Sequence, residues 1–429
     1  MQAGLSFEQA PPLSVPLRFF LSAPFFLLAA GLLLAFAGDT PGLGPAPAAL
    51  AATHAVTLGF LAMVMTGAMM QMLPVVAGVV LPHPRALAWA THLPLGLGTA
   101  TLMAAFWTGN GAAFGIAAVL LALAFGTFLV ATGRALRRAR AGDTVSGMRH
   151  AWLALVVTVV LGILLALTLS GRAQLPDFAA ALATHARFGL VGWVLLLVIG
   201  VAYQVVPMFQ ITPAYPRWLR RGLTPVLLGL LVARGVAPAL PTPLDALTAI
   251  ASEAGLAIGG AGFALATLVL QARRRRKLPD VTLDFWRVGM ISLLLCALVA
   301  LAGTFVADVG DAPAFPALLG VLFIGGFAVS VVNGMLYKIV PFLAWFHLQA
   351  QLDARAGTIP NMKEMIAEPA TRRQFRAHLA ALALLVLAVF WPRAAAPWAG
   401  LALSLSALFL SINLLAAARR FARHGGRFG

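Results

Sequence analysis

Apolar runs long enough to span a membrane alternate with short clusters of charged and turn-forming residues along the whole chain. A bilayer's hydrocarbon core takes about 20 apolar residues of helix. The pattern therefore predicts twelve membrane-spanning helices, at 17–37, 48–81, 86–106, 112–133, 149–170, 180–211, 222–241, 249–272, 284–306, 313–346, 375–392 and 398–418. Spans 2, 6 and 10 are the longest and are expected to tilt or protrude. The stretch 19–37 has no basic region before it and no small-residue cleavage site after a short core, so it is expected to be a retained first span. The fold class that follows is an all-α integral membrane protein, a single membrane domain over 1–429.

Within that pattern a longer period is visible. Pro74, Pro207 and Pro341 each follow a glycine by seven residues (Gly67, Gly200, Gly334) and another by fifteen (Gly59, Gly192, Gly326). Three residues before each proline stands a long polar side chain: Gln71, Gln204 and Lys338. The segments read GAMMQMLPVV, GVAYQVVPMF and GMLYKIVPFL, and the prolines are 133 and 134 residues apart. Spans 2, 6 and 10 are thus expected to be equivalent members of three four-helix units, approximately 17–133, 149–272 and 284–418. Glycines on one helix face permit close backbone approach, and each proline is expected to kink the end of its helix.

Composition and charge sharpen the picture. Hydrophobic residues make up 61% of the chain and charged ones only 10%, where soluble domains carry about 25% charged. Thirty Lys and Arg against 13 acids give a net charge of +17. The basic residues sit in short clusters between apolar runs, without interleaved aromatics, so nucleic acid is not an expected partner and the lipid bilayer is. Arg18, Arg85, Arg134 to Arg149, Arg217 to Arg221, Arg273 to Arg287, Arg355 to Arg376 and Arg419 to Arg427 all fall on one side of a twelve-span chain. The opposite loops hold Arg172 and Arg393 and carry Asp39, Asp177, Asp245, Asp308 and Asp311. The positive-inside rule then places both termini in the cytoplasm, and an odd number of spans would break the pattern. The single cysteine, Cys296, permits neither an intrachain disulfide nor a thiolate metal site.

Two histidines stand out from the eight. His54 and His185 both occur as Thr-His-Ala near the outer end of the equivalent spans 2 and 6. Neutral imidazole is a common nitrogen ligand for iron and copper, and ionisable residues within a membrane are functional candidates. The competing reading is two buried histidines bonded to carbonyls or water. Arg187, two residues from His185, needs an anionic partner in the outer leaflet, either the edge of a cofactor or Glu253 at the start of span 8. Arg234 poses the same question. His150, His347 and His378 are expected at cytoplasmic span ends, solvated, His92 at a polar contact in span 3, and His83 and His424 in a loop and the tail. The long segment 347–374 reads as a polar interfacial stretch. There is no phosphate-binding glycine loop, HExxH, CxxC or CxxCH. No catalytic residue can be named from spacing alone.

Twelve spans in three four-helix units, with a histidine near the outer end of helix 2, resemble subunit I of the haem-copper oxidases, a family of pseudo-threefold helix arcs. The segment HAVTLGFLAMVMTGAMMQMLPVVAG is also similar to helix 2 of the NnrS family of haem- and copper-containing membrane proteins linked to nitric oxide, at His54, Gly59, Phe60, Gly67, Pro74 and Gly78. The resemblance implies a bacterial-type inner-membrane protein that binds a haem, of the b type, with copper an open second cofactor. It implies His54 and His185 as ligands, Arg187 near the haem's anionic edge, and a membrane or periplasmic electron-transfer partner. The family's His-x-His of helix 10 and paired histidines of helix 7 have no counterpart, so its oxygen-reducing centre does not carry over. A secondary transporter, or a cofactor-free assembly partner of an oxidase, are the alternative readings.

Overall fold

The computed structural model describes residues 7–36, 47–275, 278–352 and 359–429. Asp39, Arg276, Lys277, Arg355 and part of the 347–374 segment lie outside these residues. Among the described residues eleven helices are long and apolar enough to cross a membrane. They are α1 (Ser14–Phe36), α2 (Pro47–Ala77), α4 (Gly111–Arg138), α5 (Asp143–Leu169), α6 (Phe178–Gln210), α7 (Arg217–Ala239), α8 (Leu244–Ala272), α9 (Val281–Phe305), α10 (Phe315–Gln351), α11 (Glu368–Phe390) and α12 (Pro392–Arg423). A further long helix, α3 (Pro84–Thr108), stands where span 3 is predicted. Arg85, His92 and four threonines lower its apolar character below that of the others. The protein is a multi-pass, all-helical membrane protein.

Several helices run past their apolar limits. Helix α5 begins at Asp143 rather than 149, α11 at Glu368 rather than 375, and α12 continues to Arg423 rather than 418. Hydropathy marks only the length within hydrocarbon, whereas backbone hydrogen bonding carries a helix on into the interface, where long basic side chains reach water. The opposite happens in α2, which stops at Ala77 because Gly78 turns left-handed (φ 65°). Side-chain caps start other helices: Asn110 accepts from the Ala113 amide at 3.1 Å, Asp177 from Ala180 at 2.8 Å, and Asp280 from Thr282 at 3.0 Å.

The three long helices singled out by the sequence share a feature that it does not show. Each contains a π-helical segment: Ala55–Ala62 in α2, Phe188–Leu195 in α6 and Val321–Val329 in α10. All three end twelve residues before the proline, and Gly59, Gly192 and Gly326 lie inside them. A wide π turn shifts the register of a helix and is frequent at functional sites. Pro74, Pro207 and Pro341 lie within the α-helical portion that follows each segment.

By packing, the chain divides into two compact units, one of Met1–Ala139, Leu169–Ala173 and Val331–Gly429, the other of Arg140–Thr168 and Gln174–Ser330. In the first unit, the glycine face of α2 receives α1: a Cβ on Gly59 would strike Phe26, and one on Gly67 would lie 2.7 Å from Phe19. Helix α1 also meets α12, where Cβ atoms on Gly31 would fall 2.6 Å from the Gly400 carbonyl. Buried polar pairs join the last helices: Gln374 donates to Ser406 Oγ at 3.0 Å and Asn413 to the Tyr337 hydroxyl at 2.8 Å.

In the second unit, the glycine face of α6 receives α5. A Cβ on Gly192 would lie 2.5 Å from that of Ala154, and one on Gly200 would lie 2.8 Å from the Gly147 Cα. The glycine pairs of α2 and α6 therefore do the same work, each admitting the helix that precedes it in sequence. Lipid tails are as apolar as Leu, so such close contacts, rather than escape from water, hold helices together in a membrane. At Gly200 the atom in the way is backbone and cannot rotate aside.

This packing sets one expectation. Gly200→Ala should destabilise the protein by about 1–3 kcal/mol, the usual range for overpacking. Gly229→Ala in α7, where no atom lies within 4 Å of the added methyl, should leave stability unchanged or raise it by up to about 1 kcal/mol through helix propensity. Thermal unfolding of the two variants in detergent distinguishes them, and equal midpoints would refute the close α5–α6 contact.

Candidate functional site

His54 is the last residue before the π-helical segment of α2. Its Nδ1 lies 2.9 Å from the Leu50 carbonyl. A carbonyl only accepts, so Nδ1 carries the proton and Nε2 the lone pair. The ring packs on Phe106 of α3 at a centroid distance of 4.9 Å, and Phe106 meets Phe114 edge-on at 5.2 Å. Around these rings Leu102, Ala105, Phe114 and Ala117 form a buried apolar cluster with Leu58 packed against it. The imidazole thus stands on an apolar shelf built from α3 and α4.

His185 lies three residues before the π-helical segment of α6 and is anchored in the same tautomer, Nδ1 standing 2.9 Å from the Thr158 carbonyl of α5. Gly162 makes room for it: a Cβ there would sit 2.9 Å from the imidazole Cε1. Both histidines therefore spend Nδ1–H on a backbone carbonyl, the kind of contact that typically orients a histidine ligand.

The two rings do not occupy equivalent faces. His54 precedes its proline by 20 residues and His185 by 22, an offset of about 200° on ideal helices. The π-helical segments stand at the same register in α2 and α6, so they turn both helices alike and leave the offset in place. The contacts agree: His54 leans on the helix that follows its own, α3, and His185 on the helix that precedes its own, α5.

Arg187 takes Glu253 as its partner. Its Nε lies 2.8 Å and its Nη2 2.7 Å from Glu253 Oε1, and Arg234 Nε reaches the same oxygen at 3.0 Å. One carboxylate thus serves two guanidiniums, all three side chains being about a quarter to a third exposed. The triad keeps one positive charge among α6, α7 and α8.

His378 differs from its expected place at a solvated span end. It is 2% exposed, because α11 starts ten residues earlier, about 15 Å along the helix. It continues a buried polar stripe of Thr371 and Gln374 on one face of α11, a spacing of three and four residues visible in the sequence. His150 Nδ1 pairs with Thr224 Oγ1 at 3.0 Å, and His92 Nε2 with Ser22 Oγ at 2.8 Å. His83, exposed, opens α3 with a left-handed backbone (φ 44°).

The first unit also buries polar atoms that no protein group satisfies among the described residues: Thr66 Oγ1, Gln71 Oε1, both amide atoms of Asn333 and Gln374 Oε1. Thr66 and Asn333 stand at the same register, eight residues before their prolines, and both are fully buried. An unmatched polar group in an apolar interior costs several kcal/mol, so these positions fit a polar guest or ordered water. No group of three or more His, Cys, Asp or Glu able to hold a metal ion occurs among the described residues.

The shared carboxylate makes a testable arrangement. Glu253→Gln should cost about 1–2 kcal/mol, more than Arg187→Gln or Arg234→Gln alone, since it leaves two cations facing one another while the exposure of the triad screens them. Denaturation of the three single variants in detergent checks the order, and a Glu253→Gln effect no larger than either arginine change would remove the triad.

No known protein family matches the chain, and no curated protein matches it in sequence. Solved structures do. One, described as a haem-copper terminal oxidase dimer, matches with a TM-score of 0.62 over 96% of this chain and 84% of its own, at 11% identity. At that identity the likeness is one of fold: this chain has a fold similar to that of a haem-copper terminal oxidase.

Proposed function

We propose that this protein is a haem-binding membrane redox or gas-handling protein with the fold of haem-copper oxidase subunit I, lacking the full oxygen-reducing site. The observation that carries the reading is the shared state of His54 and His185. Each stands within three residues of the start of a π-helical segment, with Nδ1–H held by a carbonyl; in this reading Nε2 is the nitrogen that would bind iron. A b-type haem bound there would supply an iron able to change valence or to take a small neutral gas, nitric oxide being the one suggested by the resemblance in span 2. The protein's own part is to orient the imidazoles, to offer the flat apolar shelf around Phe106, and to hold positive charge at Arg187 and Arg234. Copper stays the second cofactor that the resemblance leaves open, and it would need donors beyond the two histidines, such as thioether or partner groups.

The two histidines belong to different compact units and each leans on a different neighbouring helix, so the reading takes one centre per histidine. In this reading spans 2, 6 and 10 belong to three repeated units, supported by their matched glycine, proline and π-helical registers. The third unit has Leu319 and Val321 where the histidines would stand, so at most two units supply ligands. Twelve spans with the basic residues facing the cytoplasm, in a bacterial-type inner membrane, complete the proposal, with a membrane or periplasmic electron donor. A transporter would instead place polar broken helices at the midplane, whereas the proline of α6, Pro207, stands near the end of its helix.

Optical spectra of the purified protein, oxidised and dithionite-reduced, test the reading. A Soret band and stoichiometric iron are expected. His54→Ala and His185→Ala should each remove about half of the haem if the centres are separate, and their combination nearly all. Absence of both Soret band and iron, or full haem content in both single variants, would overturn it.

A further inference from the structure

His54 and His185 share a tautomer, but the carbonyls that hold them differ in origin. His54 donates to Leu50, four residues back in its own helix, so the contact travels with the helix that carries it. His185 donates to Thr158 of the neighbouring helix α5. That contact exists only while α5 and α6 keep their register.

The register is built from small residues, in step along the two helices. Gly147 meets Gly200, Ala154 meets Gly192, and the Thr158 methyl meets Gly189. At the end of this series the His185 ring occupies the space that Gly162 leaves open. From residue 147 to residue 162 the seam covers about 22 Å of α5. A Cβ on Gly162 would lie 2.9 Å from Cε1 and 3.3 Å from Nδ1 of His185, closer than packed heavy atoms settle. An alanine there is incompatible with the observed ring position. The nitrogen it would press on is the one that donates to Thr158. His185 is half-buried, and no hydrogen bond among the described residues occupies its Nε2.

We propose that Gly162 and the Thr158 carbonyl are positioning groups for the His185 centre, and that the packing of α5 on α6 thereby sets its reduction potential. A donated Nδ1–H makes imidazole a stronger electron donor through Nε2, and a stronger donor favours the oxidised state of the iron it holds. Weakening the bond to Thr158 therefore raises the potential. No neighbouring helix holds Nδ1 of His54, so α5 has no such grip on the other centre. The two centres are unequal in this respect: one imidazole is set by its own helix, the other by the seam between two. The inference rests on the haem reading given above and adds to it what tunes one of the two centres.

Redox titration of the Soret band in the full-length protein tests it. The His54→Ala variant, which keeps only the His185 centre, identifies that centre's share of the titration. Gly162→Ala should move this share to higher potential and leave the His54 share in place. A purely structural role for Gly162 would lower the unfolding midpoint and move neither. Should Gly162→Ala fail to fold, proton exchange in the unaltered, ¹⁵N-histidine-labelled protein takes its place. The Nδ1–H signal that disappears in His185→Ala should exchange with deuterated water at least tenfold more slowly than the ring N–H of the exposed His83. Equal exchange at the two rings, a shift of both shares, a shift of neither, or a shift to lower potential would each overturn the inference. A Soret band with unmoved potentials overturns it alone, whereas absence of haem from the unaltered protein overturns it together with the haem reading.

Discussion

Close approach of backbones is the constraint on which the rest of this bundle depends. Helices in a membrane gain little from leaving their surroundings, so they associate where small residues let main chains touch. Gly59 and Gly67 admit α1 to α2, and Gly192 and Gly200 admit α5 to α6. These same helices carry the candidate histidines and the π-helical segments. The positions of His54 and His185 are therefore consequences of glycine packing below them: a helix pinned by its glycine face has little freedom to rotate the imidazole above it.

Much of this was legible in the sequence, and the part that was not has a common physical origin. Apolar length located the long helices of the described residues, because a hydrocarbon slab imposes a length on whatever crosses it. The glycine and proline columns picked out α2, α6 and α10, the three helices that carry a π-helical segment at one register. Glu253 was visible as the rival partner of Arg187, since opposite charges within a membrane bundle must find each other. The π-helical segments were hidden: α and π turns differ by one residue in hydrogen-bond register, and no residue type enforces that choice. The burial of His378 was hidden for a related reason, since hydropathy ends where charged residues begin while α11 continues to Glu368.

The carbonyl that each imidazole meets was the least legible element, although the two-residue offset between the rings stands in the sequence. Repeat logic predicts that equivalent helices present equivalent faces, and for the glycines they do. For the histidines a two-residue shift sends one ring toward the following helix and the other toward the preceding one. A sequence repeat fixes backbones more firmly than it fixes side chains, because a shift of two residues leaves the helix intact and turns the side chain through a little more than a half circle.

The polar atoms left unmatched in the first unit bear on how far the fold can be taken as a guide to chemistry. The oxidase-like fold is shared at 11% identity, a level at which architecture persists while sites are rebuilt. Ligand histidines expected of helices 7 and 10 are absent, yet Thr66, Gln71, Asn333 and Gln374 place hydrogen-bonding groups in the interior that an apolar core would not retain without compensation. A bundle that had only lost its cofactors, and served as a scaffold, would be free to replace such residues by Leu or Ala and gain stability. Their presence fits an interior that still holds polar guests. The chemistry of this chain is then to be sought in the groups it keeps unmatched.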